Sequence, residues 1–137
     1  MLIERLTTAL LAFLLLLSAS LASADHIRPL PYDSGGSVVE RAVSIMGWKG
    51  QHRITGYCSS ACTMALGYRN VCIHLPATLG FHQVDRDYTG IAQPLYEDFL
   101  PTKVRRWYRA HADDSSTIVR VTGREAIERG WVRECED

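Results

Sequence analysis

The sequence lacks a surplus of charge of either sign. Its 137 residues contain fifteen Lys and Arg residues against fifteen Asp and Glu residues, without a long run of like charge. Proteins that bind nucleic acids or anionic membrane surfaces through charge usually carry a basic patch or tail. We therefore expect neither a nucleic-acid partner nor an anionic membrane partner.

The sequence also lacks an apolar run that could span a membrane. The longest run, residues 9–17, has nine residues, whereas a spanning helix needs about 20. It lies between a short charged start and the small residues Ala22-Ser23-Ala24, which is the pattern of a secretory signal peptide. We predict a signal peptide over residues 1–24, cleaved near Ala24, and a periplasmic or secreted domain over residues 25–137. An uncleaved membrane anchor is the alternative.

Cysteine is scarce, and its placement is informative. The four cysteines all follow the predicted cleavage site: Cys58, Cys62, Cys72 and Cys135. An even number in an exported chain predicts two disulfides. A zinc site and a thiol-disulfide exchange site are the alternatives, but three residues separate Cys58 from Cys62, where both kinds of site usually have two. No metal is expected.

Internal repeats and low-complexity tracts are absent, and strand signals alternate with helix signals, which predicts one α/β layer domain. Strands are predicted at residues 26–32, 53–58, 71–75, 79–83, 117–121 and 131–135. Two prolines make the first of them a broken or edge strand. Helices are predicted around residues 39–46, 61–66 and 123–129 and on both sides of Pro101, and residues 84–93 form a polar loop.

Several side chains in these elements can be placed from their spacing. Thr122 to Glu125 matches the capping box that begins a helix. The three tryptophans, Trp48, Trp107 and Trp131, are expected to be core or lid residues, since nothing in the sequence groups them. The first helix is predicted to turn inward four apolar residues that recur at helical spacing: Val39, Ala42, Val43 and Met46.

Three short segments suggest the chemistry of a serine hydrolase. Ser60 lies where a strand turns into a helix, and a helix N-terminus favours developing negative charge. His82 ends an apolar strand 22 residues later, where a general base could lie if the two strands are neighbours. Gly35 and Gly36 form a strand-to-helix turn whose amides could bind an oxyanion. Alone, each is more often structural: an N-cap, a strand-end histidine and a turn.

The order of these segments resembles a known family. The patterns Asp33-Ser34-Gly35-Gly36, Gly56-Tyr57-Cys58-Ser59-Ser60-Ala61-Cys62-Thr63 and Leu79-Gly80-Phe81-His82 are similar to those of the Clp protease proteolytic subunit and its crotonase-like relatives, in particular their small exported branch. Residues 33–83 carry the resemblance, and residues 121–132 extend it more loosely. It implies a disulfide-stabilised Clp/crotonase-like α/β fold.

The resemblance also implies a site: Ser60 as nucleophile, His82 as base and an oxyanion hole at Gly35 and Gly36. The family's orienting aspartate has no clear equivalent, and the nearest candidates are Asp113 and Asp114, of which we take Asp114. The strand arrangement of that fold implies that Cys72 pairs with Cys135, and Cys58 with Cys62.

The expected function is that of an exported serine hydrolase acting on peptides or small acyl substrates. A catalytically inactive binding module on the same scaffold is the alternative, favoured by the missing acid and the short chain. The chain lacks the family's ring-forming helical segment, so no closed ring of subunits is implied. No cofactor is expected, because coenzyme A chemistry belongs to the cytoplasm, and neither is an ATPase partner.

Overall fold

A computed structural model of the protein describes residues 27–85 and 89–137. The predicted signal peptide and its cleavage site lie outside the described residues. The elements are β1 Ile27–Asp33, α1 Val38–Gly47, β2 Gln51–Ser59, a 3₁₀ helix Ser60–Gly67, β3 Val71–Ile73, β4 Thr78–Phe81, α2 Ala92–Phe99, α3 Thr102–His111, β5 Val119–Thr122, α4 Gly123–Glu128 and β6 Arg133–Glu134. No described helix is long and apolar enough to cross a membrane.

The six strands form one curled sheet around β2, which confirms the predicted α/β class. β2 is nine residues long, so it pairs with two strands in succession on one side. Its first half is parallel to β3 and its second half to β4. β6 extends the sheet in parallel beyond β3, and β5 extends it in antiparallel beyond β4. The sheet therefore divides into two arms that share β2.

β1 pairs in parallel along the other side of β2. Its register shifts between Leu30 and Tyr32, around Pro31, which has no amide hydrogen for the ladder. Among the described residues no strand pairs with the free side of β1. The prediction of a broken edge strand is thus confirmed.

The core lies between the sheet and the helices. The 3₁₀ helix is buried from Ala61 to Leu66, as its apolar sequence predicts. A break at Pro101 separates α2 from α3, also as predicted. These helices contribute the largest fully buried side chains, Tyr96 and Tyr108. Trp107 and Trp131 pack against each other with ring centroids 5.2 Å apart, and both contact Phe81. The structure therefore groups two tryptophans that nothing in the sequence grouped.

The predicted inward face of α1 is wrong except at Ala42. The helix buries Val38, Ala42 and Ile45, whereas Val39, Val43 and Met46 are 48%, 62% and 69% exposed. Both sets recur at helical spacing, so periodicity alone cannot choose between them. Tertiary contacts choose between them: α1 packs on the 3₁₀ helix and α2, and its Arg41 forms an ion pair with Asp33 at 2.6 Å.

Both predicted disulfides, Cys58–Cys62 and Cys72–Cys135, are present, and no cysteine is free. The second joins β3 to the chain end just beyond β6. Its partners are 63 residues apart in sequence, against four for the first. Constraint of the unfolded chain grows with loop length, so the second bridge should contribute more to global stability. Two disulfides are typical of proteins that fold in an oxidising compartment.

We expect Cys72→Ala/Cys135→Ala to lower the free energy of unfolding by about 4 kcal/mol, and Cys58→Ala/Cys62→Ala by about 2 kcal/mol. Guanidinium unfolding of both double variants at one pH measures the difference. An equal loss in the two variants, or a larger loss for the Cys58 and Cys62 variant, would contradict this assignment.

The predicted capping box begins α4. Glu125 donates its backbone amide to the Thr122 hydroxyl, and its carboxylate accepts from the Thr122 backbone amide and hydroxyl. These hydrogen bonds hold the pKa of the Glu125 carboxyl below its ordinary value. A lowered folded-state pKa means that the charged carboxylate stabilises the fold above the unfolded-state pKa. This stabilisation is lost as the pH falls through the folded-state pKa.

We therefore expect Glu125→Gln to unfold at a lower temperature than the wild type at neutral pH, with the gap closing as the medium is acidified through the lowered pKa. Thermal unfolding across the acid range measures it. Glu128→Gln is the control, because that carboxylate lies on the same helix without a hydrogen bond to any described residue. A gap for Glu125→Gln that is constant across the range would contradict the expectation.

Candidate active site

The carboxyl ends of three parallel strands bring the predicted site residues to one edge of the sheet. Asp33, Cys58 and Leu79 lie in one row across β1, β2 and β4. The chain beyond this row leads to Gly35 and Gly36 after β1, Ser60 after β2 and His82 after β4. Crevices beyond the carboxyl ends of parallel strands are common binding sites.

Ser60 occupies a sharp turn between β2 and the 3₁₀ helix. Its φ is +56°, and it is the only non-glycine residue of the described chain with a positive φ. Such a conformation costs a residue with a side chain about 1–2 kcal/mol, and the surrounding structure must hold it. The turn leaves Ser60 partly exposed between Ser59 and Ala61, which are both buried. Of the two serines, Ser60 therefore presents the accessible hydroxyl.

Gly35 packs directly against Ser60. A Cβ at Gly35 would lie 2.7 Å from the Ser60 Cβ and 3.1 Å from its Oγ, so only glycine fits. The turn is fixed by Asp33, whose carboxylate accepts the Gly35 amide at 2.9 Å and pairs with Arg41. Arg41 also donates to the Gly35 carbonyl at 3.0 Å.

Gly35 and Gly36 therefore differ as oxyanion donors. The Gly35 amide is already donated to Asp33. The Gly36 amide donates to no group of the described chain, and Gly36 lines a cavity of about 250 Å³. A Cβ added at Gly36 would have no atom within 4 Å, which agrees with the position of Gly36 at the cavity surface.

Ser60 and His82 line this same cavity. The Tyr108 hydroxyl donates to the His82 carbonyl at 3.1 Å, and the Gln83 amide donates to the Ser115 carbonyl at 2.9 Å. Burial raises the pKa of Tyr108, which keeps its hydroxyl protonated as a donor. The peptide group between His82 and Gln83 is thus held through both its carbonyl and its amide. No hydrogen bond joins the Ser60 hydroxyl to the His82 ring, although such bonds often tighten only when substrate is bound.

The remaining cavity wall is mainly apolar and includes two polar side chains, Ser37 and Asp85. The apolar part consists of Val38, Val39, Val84 and Ala92. Ser37 caps α1 by accepting the Glu40 amide at 3.3 Å. Asp85 is the cavity's one carboxylate among the described residues, and its place three residues after His82 is the only sequence signal that could have indicated it.

The predicted third member, Asp114, does not join this cavity. Asp113 and Asp114 line a neighbouring one of about 680 Å³. Neither forms a hydrogen bond or ion pair with His82 in the described part of the chain. Asp85 and Val84 line both cavities. The structure thus brings Ser60, His82 and Gly36 together with Asp85 rather than with Asp114.

Two buried hydroxyls hold the Ser60 turn from inside. The Thr63 hydroxyl donates to the Ser60 carbonyl at 2.7 Å and lies 2.6 Å from the Tyr96 hydroxyl. Since the Thr63 hydrogen is used on Ser60, Tyr96 must donate to Thr63. Burial raises the pKa of Tyr96, so the donor stays protonated. The sequence could not indicate this pair, because Tyr96 comes from another helix.

The Cys58–Cys62 disulfide joins residues on either side of Ser60 in the sequence. Its Cα atoms are 5.4 Å apart, and both cysteines are fully buried. Since all four cysteines are bonded in pairs, none is a thiolate ligand or a free thiol. In residues 27–85 and 89–137, no group of three or more His, Cys, Asp or Glu side chains could hold a metal ion.

Comparisons with protein-family models and with the curated proteins assign no family to the chain. No protein-family model matches the chain, and a search of the curated proteins finds no match. The resemblance to the Clp protease subunit and its crotonase-like relatives therefore stays a prediction. The function has to be argued from the residues around Ser60.

Proposed function

We propose that the protein is an exported serine hydrolase in which Ser60 is the nucleophile and His82 the general base. The observation that carries this proposal is the positive φ of Ser60 at a strand-to-helix turn, facing a cavity that it shares with His82. A strained turn that exposes one hydroxyl at a helix start is the arrangement of a nucleophile elbow. Backbone strain of this kind is concentrated at functional sites.

In the proposed reaction, His82 removes the proton from the Ser60 Oγ as this oxygen attacks the substrate carbonyl. The tetrahedral oxyanion accepts hydrogen bonds from the Gly36 amide and from the Ala61 amide at the start of the 3₁₀ helix, where first-turn amides have no acceptor within the helix. His82 then protonates the leaving group. The acyl-enzyme forms, and a water activated by His82 hydrolyses it.

The acid partner of His82 is proposed to be Asp85, because it lines the Ser60 cavity. Asp85 makes no hydrogen bond to His82 among the described residues, and the proposal therefore requires that this contact forms in the substrate complex. A carboxylate in this position would orient the imidazole and stabilise its charged form. The single site of about 250 Å³ would then contain the nucleophile, base, acid and one oxyanion donor.

The proposed substrate has a small apolar group next to the reacting carbonyl. The cavity wall of Val38, Val39, Val84 and Ala92 favours apolar surface, and a volume of about 250 Å³ limits its size. Small acyl esters and peptides with a small apolar residue at the cleavage site meet both conditions. Export is supported by the two disulfides, which persist in oxidising compartments, and by the predicted signal peptide.

A binding module on the same scaffold is the second candidate. The observation that favours it is the absence of a hydrogen bond from His82 to Ser60, Asp85, Asp113 or Asp114 in the described structure. Such a module would bind the same small apolar groups in the cavity without forming an acyl-enzyme. Chemical reactivity of Ser60 separates the two candidates.

We expect a fluorophosphonate probe to modify mature protein with intact disulfides at Ser60, as located by mass spectrometry. Ser60→Ala should remove the adduct, and His82→Ala should slow labelling on the order of 10²- to 10⁴-fold, the usual contribution of a general base. Ser59→Ala is the matched control, because that buried neighbour should leave labelling intact. A wild type without an adduct, or with one on another serine, contradicts the proposed nucleophile.

The two carboxylate candidates can be compared directly. Asp85→Asn should lower the labelling rate. The loss should reach about 10⁴-fold if Asp85 has the full role of the aspartate in a serine triad. Asp114→Asn, in the neighbouring cavity, should leave the rate within about threefold of the wild type, since surface substitutions away from the site have small effects. The reverse order would restore Asp114 as the third member.

A further inference from the structure

We propose that the Cys58–Cys62 disulfide is the positioning device of Ser60, so that the reactivity of this serine depends on the oxidation state of this one bridge. The inference rests on the proposed function and extends it to a control of the same site. Cys58 and Cys62 are positioning residues, because they act through Ser60 and do not line its cavity.

The bridge encloses the serine in a small ring. Cys62 lies four positions after Cys58, and Ser60 is the middle residue of these five. Cys58 is anchored in β2, where it pairs with Asp33 of β1 and Leu79 of β4. Cys62 lies in the first turn of the 3₁₀ helix. The disulfide thus links the strand before Ser60 to the helix after it.

Ser60 needs such a link, because its left-handed conformation is unfavourable for a residue with a side chain. The contacts that Thr63 and Gly35 make with the turn each hold only one group of Ser60. Thr63 binds the Ser60 carbonyl, and Gly35 packs against the side chain. Neither fixes the angle between β2 and the helix. The disulfide fixes this angle covalently, because Cys58 lies in the sheet and Cys62 in the buried helix.

Global stability alone does not account for this bridge. A disulfide constrains the unfolded chain less when its loop is short, and this loop is far shorter than that of Cys72–Cys135. The effect of Cys58–Cys62 is therefore expected to be mainly local. The chain contains its own matched control in the second disulfide, which does not line the Ser60 cavity.

The redox step is thiol-disulfide exchange with a dithiol reductant, which reaches the fully buried bridge when the turn opens locally. One thiolate of the reductant attacks a sulfur of the bridge, forms a mixed disulfide and releases the other cysteine as a thiolate. The second thiol of the reductant then displaces the bound cysteine. The protein gains two electrons and two protons as Cys58 and Cys62 become thiols, and the reductant becomes a disulfide. The turn is then free to leave the left-handed conformation.

The experiment compares Cys58→Ala/Cys62→Ala with Cys72→Ala/Cys135→Ala in fluorophosphonate labelling, with the unfolding midpoint measured in parallel. We expect the first variant to lose at least about 100-fold in the maximal labelling rate, a loss within the range found for misplaced catalytic groups, while its half-saturating probe concentration changes little. The second variant should keep the labelling rate under conditions in which it remains folded. Equal labelling by the two variants overturns the proposal.

A reversible version uses the wild type. Partial reduction with dithiothreitol, followed by mass mapping of the reduced cysteines, should lower labelling in proportion to reduced Cys58–Cys62 and not to reduced Cys72–Cys135. Reoxidation should restore it. A merely structural contribution would not give this selective and reversible dependence. Full labelling of protein in which Cys58 and Cys62 are reduced overturns the proposal.

Hydrogen exchange separates this inference from the proposed function. Loss of the Cys58–Cys62 bridge should speed amide exchange in residues 59–64 more than loss of the second bridge does, whether or not Ser60 reacts with the probe. An unlabelled wild type with this selective change would refute the hydrolase and retain the positioning role. Unchanged exchange in residues 59–64 would refute the positioning role even in a reactive protein.

Discussion

The parallel pairing of β2 with β1 on one side and β4 on the other is the constraint on which the site depends. It sets Asp33, Cys58 and Leu79 in one row, so the loops that follow three strands open at the same edge of the sheet. β2 is long enough to pair with β3 as well, and this second arm is tied to the chain end by Cys72–Cys135. The same strand therefore supports the core and presents Ser60.

The site combines backbone features with few side chains. Ser60 is held in an unfavourable turn by a close glycine, two buried hydroxyls and a neighbouring disulfide. Thr63, Tyr96 and both cysteines are buried, so a packed core surrounds the strained turn and can hold it. A mainly apolar cavity wall with a few polar groups is typical of small-molecule sites.

Part of this structure could be predicted because its signals are local. The Pro101 break, the Thr122–Glu125 capping box and the edge character of β1 each depend on a few adjacent residues. The strand limits were less well predicted, since the strands expected at 71–75 and 79–83 end two residues earlier, at Ile73 and Phe81. The buried face of α1 could not be predicted, because Val38 and Val39 begin two equally periodic apolar stripes and only tertiary contacts choose between them, namely packing on the 3₁₀ helix and α2 and the ion pair of Arg41 with Asp33. Three further features depend on tertiary contacts between separate helices and loops and could not be predicted either. They are the position of Asp114, the hydrogen bond of the Tyr96 hydroxyl and the packing of Trp107 on Trp131.

The central claim is that Ser60 becomes acylated during turnover, and the mass of the acyl-enzyme tests it most directly. Mature protein is mixed with an activated ester of a small apolar acid, quenched in acid within the first turnover and measured as the intact protein. We expect a mass increase of one acyl group, mapped to Ser60, that decays at the rate of steady-state hydrolysis. Ester hydrolysis that continues in Ser60→Ala, or a wild type that never gains the acyl mass, would contradict it.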